Sequence, residues 1–206
     1  MKMPFVLAAA AVALAACGEA SEPASAPAPK PAAPAAPALT AAGPFQATKT
    51  GVGAVTDQTR FDMGALEKAF PGARAETTFL VTPDNMVAVL SLSGENGLIV
   101  DVVEKNMLNR VGLINVLGGP VVGPGGEKIG ALRSETSFTD AQCEAGKGQN
   151  YMTRTLCRRA DDPNTTYVFK GKGPSAKIVA IRWLAPGEAL PDASLAPVYN
   201  DGRKVR

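Results

Sequence analysis

The stretch Thr78–Leu92, TFLVTPDNMVAVLSL, decides the fold. Two runs rich in Val, Leu, Phe and Thr flank Pro83-Asp84-Asn85. That trio suits a tight turn, because Pro fixes φ and Asp or Asn hydrogen-bonds its own backbone. The pattern predicts a hairpin of Thr78–Thr82 against Met86–Leu92. Gly94-Glu95-Asn96-Gly97 turns the chain again into Leu98–Val103, a third strand. Later in the chain Tyr151–Arg159, Thr165–Lys170 and Lys177–Leu184 repeat the theme. They are separated by the turn-like Asp161-Asp162-Pro163-Asn164 and Gly171-Lys172-Gly173-Pro174. One helix is predicted over Asp62–Phe70: Asp62 caps it, Leu66 and Phe70 share a face, and Pro71-Gly72 stops it. A second short helical piece falls at Thr139–Glu144. The expected class is therefore mainly β: antiparallel sheets in a two-sheet sandwich, with one or two short helices. A single curved sheet with helices on one face is the alternative. A helix followed by a meander occurs twice in this reading, which hints at a duplication without a repeat at residue level.

Working outward to the N-terminus, MKMPFVLAAAAVALAACGEA places an apolar run, Pro4–Ala16, after one Lys and before Cys17. The run is shorter than the ~20 residues that a membrane-crossing helix needs. It fits the apolar core of a signal peptide, residues 1–16. Leu14-Ala15-Ala16-Cys17 matches a bacterial lipobox, in which the Cys17 thiol takes up lipid and becomes the first residue after cleavage. Several acyl chains on one residue anchor stably where one does not. Gly18, rather than Asp, follows Cys17, which directs the expectation to the periplasmic face of the outer membrane. Residues 17–44 then carry the lipidated Cys and a linker dominated by Ala, Pro and Ser. Such a segment extends as a semi-rigid spacer and reaches roughly 80 Å. A single β-rich domain is expected over 45–184, with a Pro/Gly-rich tail over 185–206.

The address bears on CEAGKGQNYMTRTLC, Cys143–Cys157. Export places both thiols where disulfides persist. With Cys17 lipidated, two of the three cysteines remain, and the chain has no His. A metal site wants about four ligands, typically Cys and His, and the spacing is not the Cys-x-x-Cys of redox proteins. A structural disulfide between Cys143 and Cys157 is the reading that stands, with neither metal nor cofactor expected.

Several short segments now fall into order: Gly51-Val52-Gly53-Ala54-Val55-Thr56; Phe70-Pro71-Gly72; Val122-Gly123-Pro124-Gly125-Gly126 running into Ile129-Gly130; the Cys143/Cys157 pair; Tyr167-Val168-Phe169-Lys170-Gly171; and Ile181-Arg182-Trp183. Together, over Lys49–Leu184, they resemble the RpoE-regulated lipoprotein family of Gram-negative envelopes. The resemblance implies an outer-membrane lipoprotein with a β-rich domain, tied by its regulation to envelope stress. It brings no catalytic residues with it. The chain departs from the family where Ala131-Leu132, not an early aromatic, follows the Ile-Gly pair.

Chemistry is then narrowed by elimination. The glycine-rich Gly118–Lys128 lacks the G-x-x-x-x-G-K-[ST] order of a phosphate loop, so its glycines are read as turns and close backbone approaches. Without His, the usual Ser and Cys hydrolase triads are excluded. Two carboxylates suffice for glycoside hydrolysis, with Glu127, Glu135, Asp161 and Asp162 as candidates, but all four read as solvated turn residues. No catalytic residue is assigned. Charge says more. From Lys128 onward thirteen Lys/Arg face eight Asp/Glu, against eight and eleven before it. Arg154 and Arg158 fall on one face of their strand, and Lys170, Lys172, Lys177 and Arg182 lie on neighbouring runs. These six form the candidate surface for an anionic envelope component or an acidic periplasmic protein; nucleic acid is not expected in this compartment. The function expected is a non-enzymatic binding or envelope-maintenance module on a lipid anchor. The alternatives are an inhibitor of a foreign hydrolase such as lysozyme, and a carboxylate-dependent glycan hydrolase.

Overall fold

The computed structural model describes residues 44–81, 86–146 and 153–188. Cys17, most of the linker, the turn residues Pro83–Asn85, Tyr151 and Met152, and the end of the tail lie outside them. The strands are β1 (Phe45–Thr48), β2 (Gly51–Val52), β3 (Val55–Thr56), β4 (Ala73–Val81), β5 (Met86–Gly94), β6 (Ile99–Glu104) and β7 (Val111–Gly118). They continue with β8 (Val121–Val122), β9 (Cys143–Ala145), β10 (Arg154–Arg159), β11 (Asp162–Lys170) and β12 (Lys177–Leu184). Helix α1 (Met63–Ala69) precedes β4.

The fold is mainly β and is built from two sheets. The larger has the order β4-β5-β6-β7-β12-β11-β10-β9, all antiparallel; the smaller has the order β3-β2-β1-β8, with β1 and β8 parallel. The large sheet is thus two four-stranded meanders, each of consecutive strands, joined where β7 pairs with β12. Alternation explains its core face: Leu90 and Leu92, Val100 and Val102, Ile114 and Val116, Tyr167 and Phe169, and Ile181 and Trp183 all point to one side and are buried. Phe45, Ala47, Val52 and Val55 of the small sheet join the same cluster, so the two sheets share one core.

Helix α1 closes part of that core for the reasons its sequence offers. The Asp62 carboxylate accepts from the Ala65 N–H at 2.8 Å, the side-chain cap of the first turn. Leu66 and Phe70, four apart, are both fully buried, and the Phe70 ring meets Phe45 edge-on at 5.1 Å. Pro71 and Gly72, the latter at φ 85°, end the helix. The piece expected at Thr139–Glu144 is a single 3-10 turn, Asp140–Gln142.

Three expectations are corrected. Asp162-Pro163-Asn164 is not a turn but the start of β11; the reversal is made by Ala160 and Asp161, with a register shift between Arg158 and Arg159. Strand β7, unassigned from sequence, is the central seam. Its run VGLINVLG is apolar on both faces except at Asn115, so it gives no alternation to read. Glu127 and Asp162, expected in solvent, are each 4% exposed.

Candidate functional site

The sequence points to six cations, and the structure divides them. Arg154 lies opposite Lys170, and Lys170 lies opposite Lys177, so three adjacent strands bring three cations into one row. Like charges directly opposite one another destabilise a sheet. Among the described residues none of the three has a carboxylate within 4 Å, and Arg154 Nη1 is buried without a hydrogen-bond partner. The row borders an open cleft of about 350 Å³ whose apolar lining includes Leu117, Ile129 and Val179. Val179 reaches it because the β11–β12 pairing slips between Val168 and Phe169, leaving Val179 outside the register.

Arg158 and Arg182, expected on the same surface, are used elsewhere. Both belong to a polar row that crosses seven strands in register: Glu76, Ser91, Asp101, Asn115, Arg182, Thr166 and Arg158. Arg158 donates to Thr166 Oγ1 at 2.9 Å and pairs with Glu144 of β9 at 3.1 Å. Arg182 is only 6% exposed, and Ser91 donates to Asp101 at 2.5 Å. Buried charge persists in proteins only when it is paired or hydrogen-bonded, so these side chains belong to the sheet and not to an open basic patch. Lys172 stands exposed in the β11–β12 turn.

The carboxylates proposed for glycan chemistry are likewise committed. Glu127 is held by three donors: Arg159 Nη1 at 3.1 Å, the Tyr167 hydroxyl at 3.2 Å and the Gly125 N–H at 2.9 Å. Burial, and then the Glu127 charge beside it, push the Tyr167 phenol well above its usual range. Burial works against the Arg159 guanidinium, but Glu127 and Asp161 outweigh it and raise its pKa. Glu135 caps a 3-10 turn by accepting from the Leu132 N–H at 2.8 Å, and Asp162 accepts from the Thr165 N–H at 3.2 Å. Glu135 is exposed all the same, and Asp161 keeps a well-exposed carboxylate 3.4 Å from Arg159.

This network also accounts for the glycine-rich segment. A Cβ on Gly123 would lie 2.2 Å from the Tyr167 hydroxyl, and one on Gly125 would lie 2.3 Å from Glu127 Oε1. The backbone must pass that close for Glu127 to reach Arg159 and Tyr167 together. Beyond Glu127 the same segment delivers Ile129 to the cleft, fixed by a Gly130 N–H bond to the Ile178 carbonyl at 2.8 Å. Neither the Glu127 contacts nor the cleft's apolar lining is foreseen from sequence. The available signal for the first was a lone acid after five glycines and two prolines in Gly118–Gly126.

Cys143 and Cys157 are joined, directly opposite one another on β9 and β10. Among the described residues no group of Cys, Asp and Glu is placed to hold a metal ion, and no helix is long and apolar enough to cross a membrane.

No family model matches the chain, and no curated protein does. Among solved structures the chain is similar to the uncharacterized protein YfeY from Escherichia coli, with a TM-score of 0.53 and 19% identity over 66% of this chain and 97% of that one. At that identity the likeness extends to the fold alone.

Proposed function

We propose that the protein is a non-enzymatic lipoprotein of the outer membrane, anchored through Cys17 on the periplasmic side. Its β domain binds an anionic envelope component at the Arg154–Lys170–Lys177 row. The envelope address rests on the signal and lipobox residues, and the tie to envelope stress rests on the family resemblance. The binding role rests on one observation: three cations in direct register beside an open cleft, with no carboxylate among the described residues to neutralise them. A fold that places like charges opposite one another loses stability by it, and an anion from outside restores the balance.

The two alternatives have less beneath them. A glycan hydrolase needs two carboxylates flanking a substrate, whereas the donors around Glu127 already occupy both of its oxygens. A lysozyme inhibitor would have to use a turn such as Gly171–Pro174, where Lys172 would repel a cationic enzyme.

The reading is tested by affinity capture from the cell's own envelope extract, using the full chain with Cys17→Ala so that it stays in solution. The expected result is a phosphate- or carboxylate-bearing partner that elutes with salt and is absent when Arg154, Lys170 and Lys177 are all changed to Gln. Capture that the triple variant leaves unchanged would overturn the reading. In cells, Cys17→Ala is expected to release a folded protein from the membrane fraction.

A further inference from the structure

The residues beside the cation row narrow the kind of anion. On the face of the large sheet turned away from the main core cluster, Arg154, Lys170 and Lys177 form the outermost row at the strand ends, the two lysines exposed, while Val168 and Ala180 behind them are buried. Two residues inward on β10 and β11, about 7 Å along the strand, and three on β12 because of the slip, comes a row without charge. There Leu156 lies opposite Val168 and Val168 lies opposite Ala180, with Leu117 and Val179 packed against them. The charged row Arg158–Thr166–Arg182 begins only two residues further in. The cleft therefore has a cationic rim and an apolar floor, and it sits at one border of that floor. A bare inorganic ion would use the rim and leave the cleft-facing sides of the partly buried Leu117, Val179 and Ile129 uncovered. A neutral alkyl group would use the floor and leave the three charges facing one another.

We infer that the cleft takes a phosphorylated amphiphile, one phosphate head on an alkyl chain, with the head at Arg154, Lys170 and Lys177 and the first carbons over Leu117, Val179 and Ile129. This inference rests on the anion-binding reading above. Three cations suit a phosphate monoester, which carries about −1.5 to −2 at neutral pH, better than a singly charged carboxylate. Arg154 supplies a fork that grips two phosphate oxygens at once, while the lysines act as point charges. The cleft's size, 350 Å³, lies at the small end of the roughly 300–1,000 Å³ usual for ligand pockets. It holds a head and a short length of chain, not a whole diacyl lipid.

The test is calorimetric titration of the full chain, with Cys17→Ala and the disulfide intact, against decyl phosphate, inorganic phosphate and decyl maltoside, the two detergents kept monomeric. Decyl phosphate is expected to bind at least tenfold more tightly than inorganic phosphate, with decyl maltoside weaker still. Lys170→Gln with Lys177→Gln is expected to cost decyl phosphate at least tenfold. Val179→Ser is expected to weaken decyl phosphate severalfold and to leave inorganic phosphate unchanged. Equal affinity for decyl phosphate and inorganic phosphate would overturn the amphiphile while leaving the anion reading intact. Equal affinity for decyl phosphate and decyl maltoside, or no binding of any anion, would overturn both. Vesicles containing phosphatidic acid separate the sources. Retention on vesicles as well as monomer binding means the head is reached within a bilayer, and monomer binding alone means the free molecule is the ligand. Either result supports the inference, and retention on vesicles without monomer binding overturns it.

Discussion

Arg154 and Arg159 stand at the two ends of one six-residue strand, β10, and their surroundings are opposite in kind. At the Arg159 end a buried carboxylate, Glu127, receives the guanidinium, and Tyr167 and the Gly125 N–H complete its bonds. At the Arg154 end two lysines stand in register, no carboxylate is supplied among the described residues, and the space is open. One connecting segment makes the difference, because it brings Glu127 to the first end and apolar Ile129 to the second. Two cations of the same kind, five residues apart, thus serve different ends. The one whose counter-ion the chain supplies holds the fold, and the one without a counter-ion among the described residues is the one we propose for a ligand.

The hardest way to break this contrast is Glu127→Ala. Removing one partner of a buried pair costs about 3–5 kcal/mol, because the other is left buried and unpaired. The Arg159 side chain retains 26% exposure, which argues for the lower part of that range, but the Tyr167 hydroxyl and the Gly125 N–H lose their acceptor as well. A loss of about 4 kcal/mol by denaturant unfolding is expected. A loss below about 1 kcal/mol, the usual worth of a surface pair, would mean that the Arg159 end is no lock.

Next in size is the disulfide. Cys157 lies between the two arginines on β10, and its bond to Cys143 fastens the edge strand β9. Opening a loop of about 15 residues is expected to cost about 3 kcal/mol, measured as unfolding with and without reductant. Because β9 also carries Glu144 to Arg158, reduction should turn a paired cation into a free one. It should therefore strengthen the binding of anions overall while weakening the fold.

Tyr167 offers a pH test of the locked end. Its folded pKa is raised, by burial first and by Glu127 second. Below about pH 10, the ordinary tyrosine value, the folded and unfolded phenols are both protonated and the contribution is constant. Above it the unfolded state loses a proton that the folded state keeps, so the unfolded state binds fewer protons and stability falls as pH rises. Tyr167→Phe loses the hydrogen bond to Glu127, worth about 1 kcal/mol near neutrality, but it is spared the alkaline loss. The wild type should therefore give up about 1.4 kcal/mol relative to the variant by about pH 11. An unfolding series across that range in which the gap stays constant would show that Tyr167 titrates normally.

How far the sequence reveals these two ends depends on range. Strand β12, helix α1 with its Asp62 cap, and the Cys143/Cys157 pair are legible because periodicity, capping and cysteine spacing are local signals. The Arg154–Lys170 and Lys170–Lys177 oppositions needed the register, which a slip at Val168/Phe169 and another at Arg158/Arg159 move off any simple count. Glu127 meets Arg159 across 32 positions and Tyr167 across 40, and no periodicity spans such a distance. The polar row left a fainter trace: Asp101, Asn115 and Arg182 are each a lone polar residue within an apolar run, LIVDVV, GLINVL and IVAIRWL. A solitary polar residue there can be read as a buried polar site, but only pairing reveals that all three fall in one line.

The smallest expected effect has the opposite sign, and for that reason it sharpens the contrast most. Where Glu127→Ala removes an attraction, Lys177→Gln removes a repulsion, since Lys177 faces Lys170 directly. Like charges in opposite positions destabilise a sheet by some tenths of a kcal/mol, so the variant should unfold about 0.5 kcal/mol later than the wild type. Both lysines are exposed, so salt should screen the repulsion. Between about 0.01 M and about 1 M the screening length falls from ~30 to ~3 Å, and the gap between variant and wild type should close. Thermal unfolding of the two proteins across that series reads the effect directly. A variant less stable than the wild type at low salt would place Lys177 among the structural cations with Arg159. A gain that vanishes with salt would mean that the chain carries an unfavourable charge cluster in the absence of its ligand, as a site kept for an outside anion must.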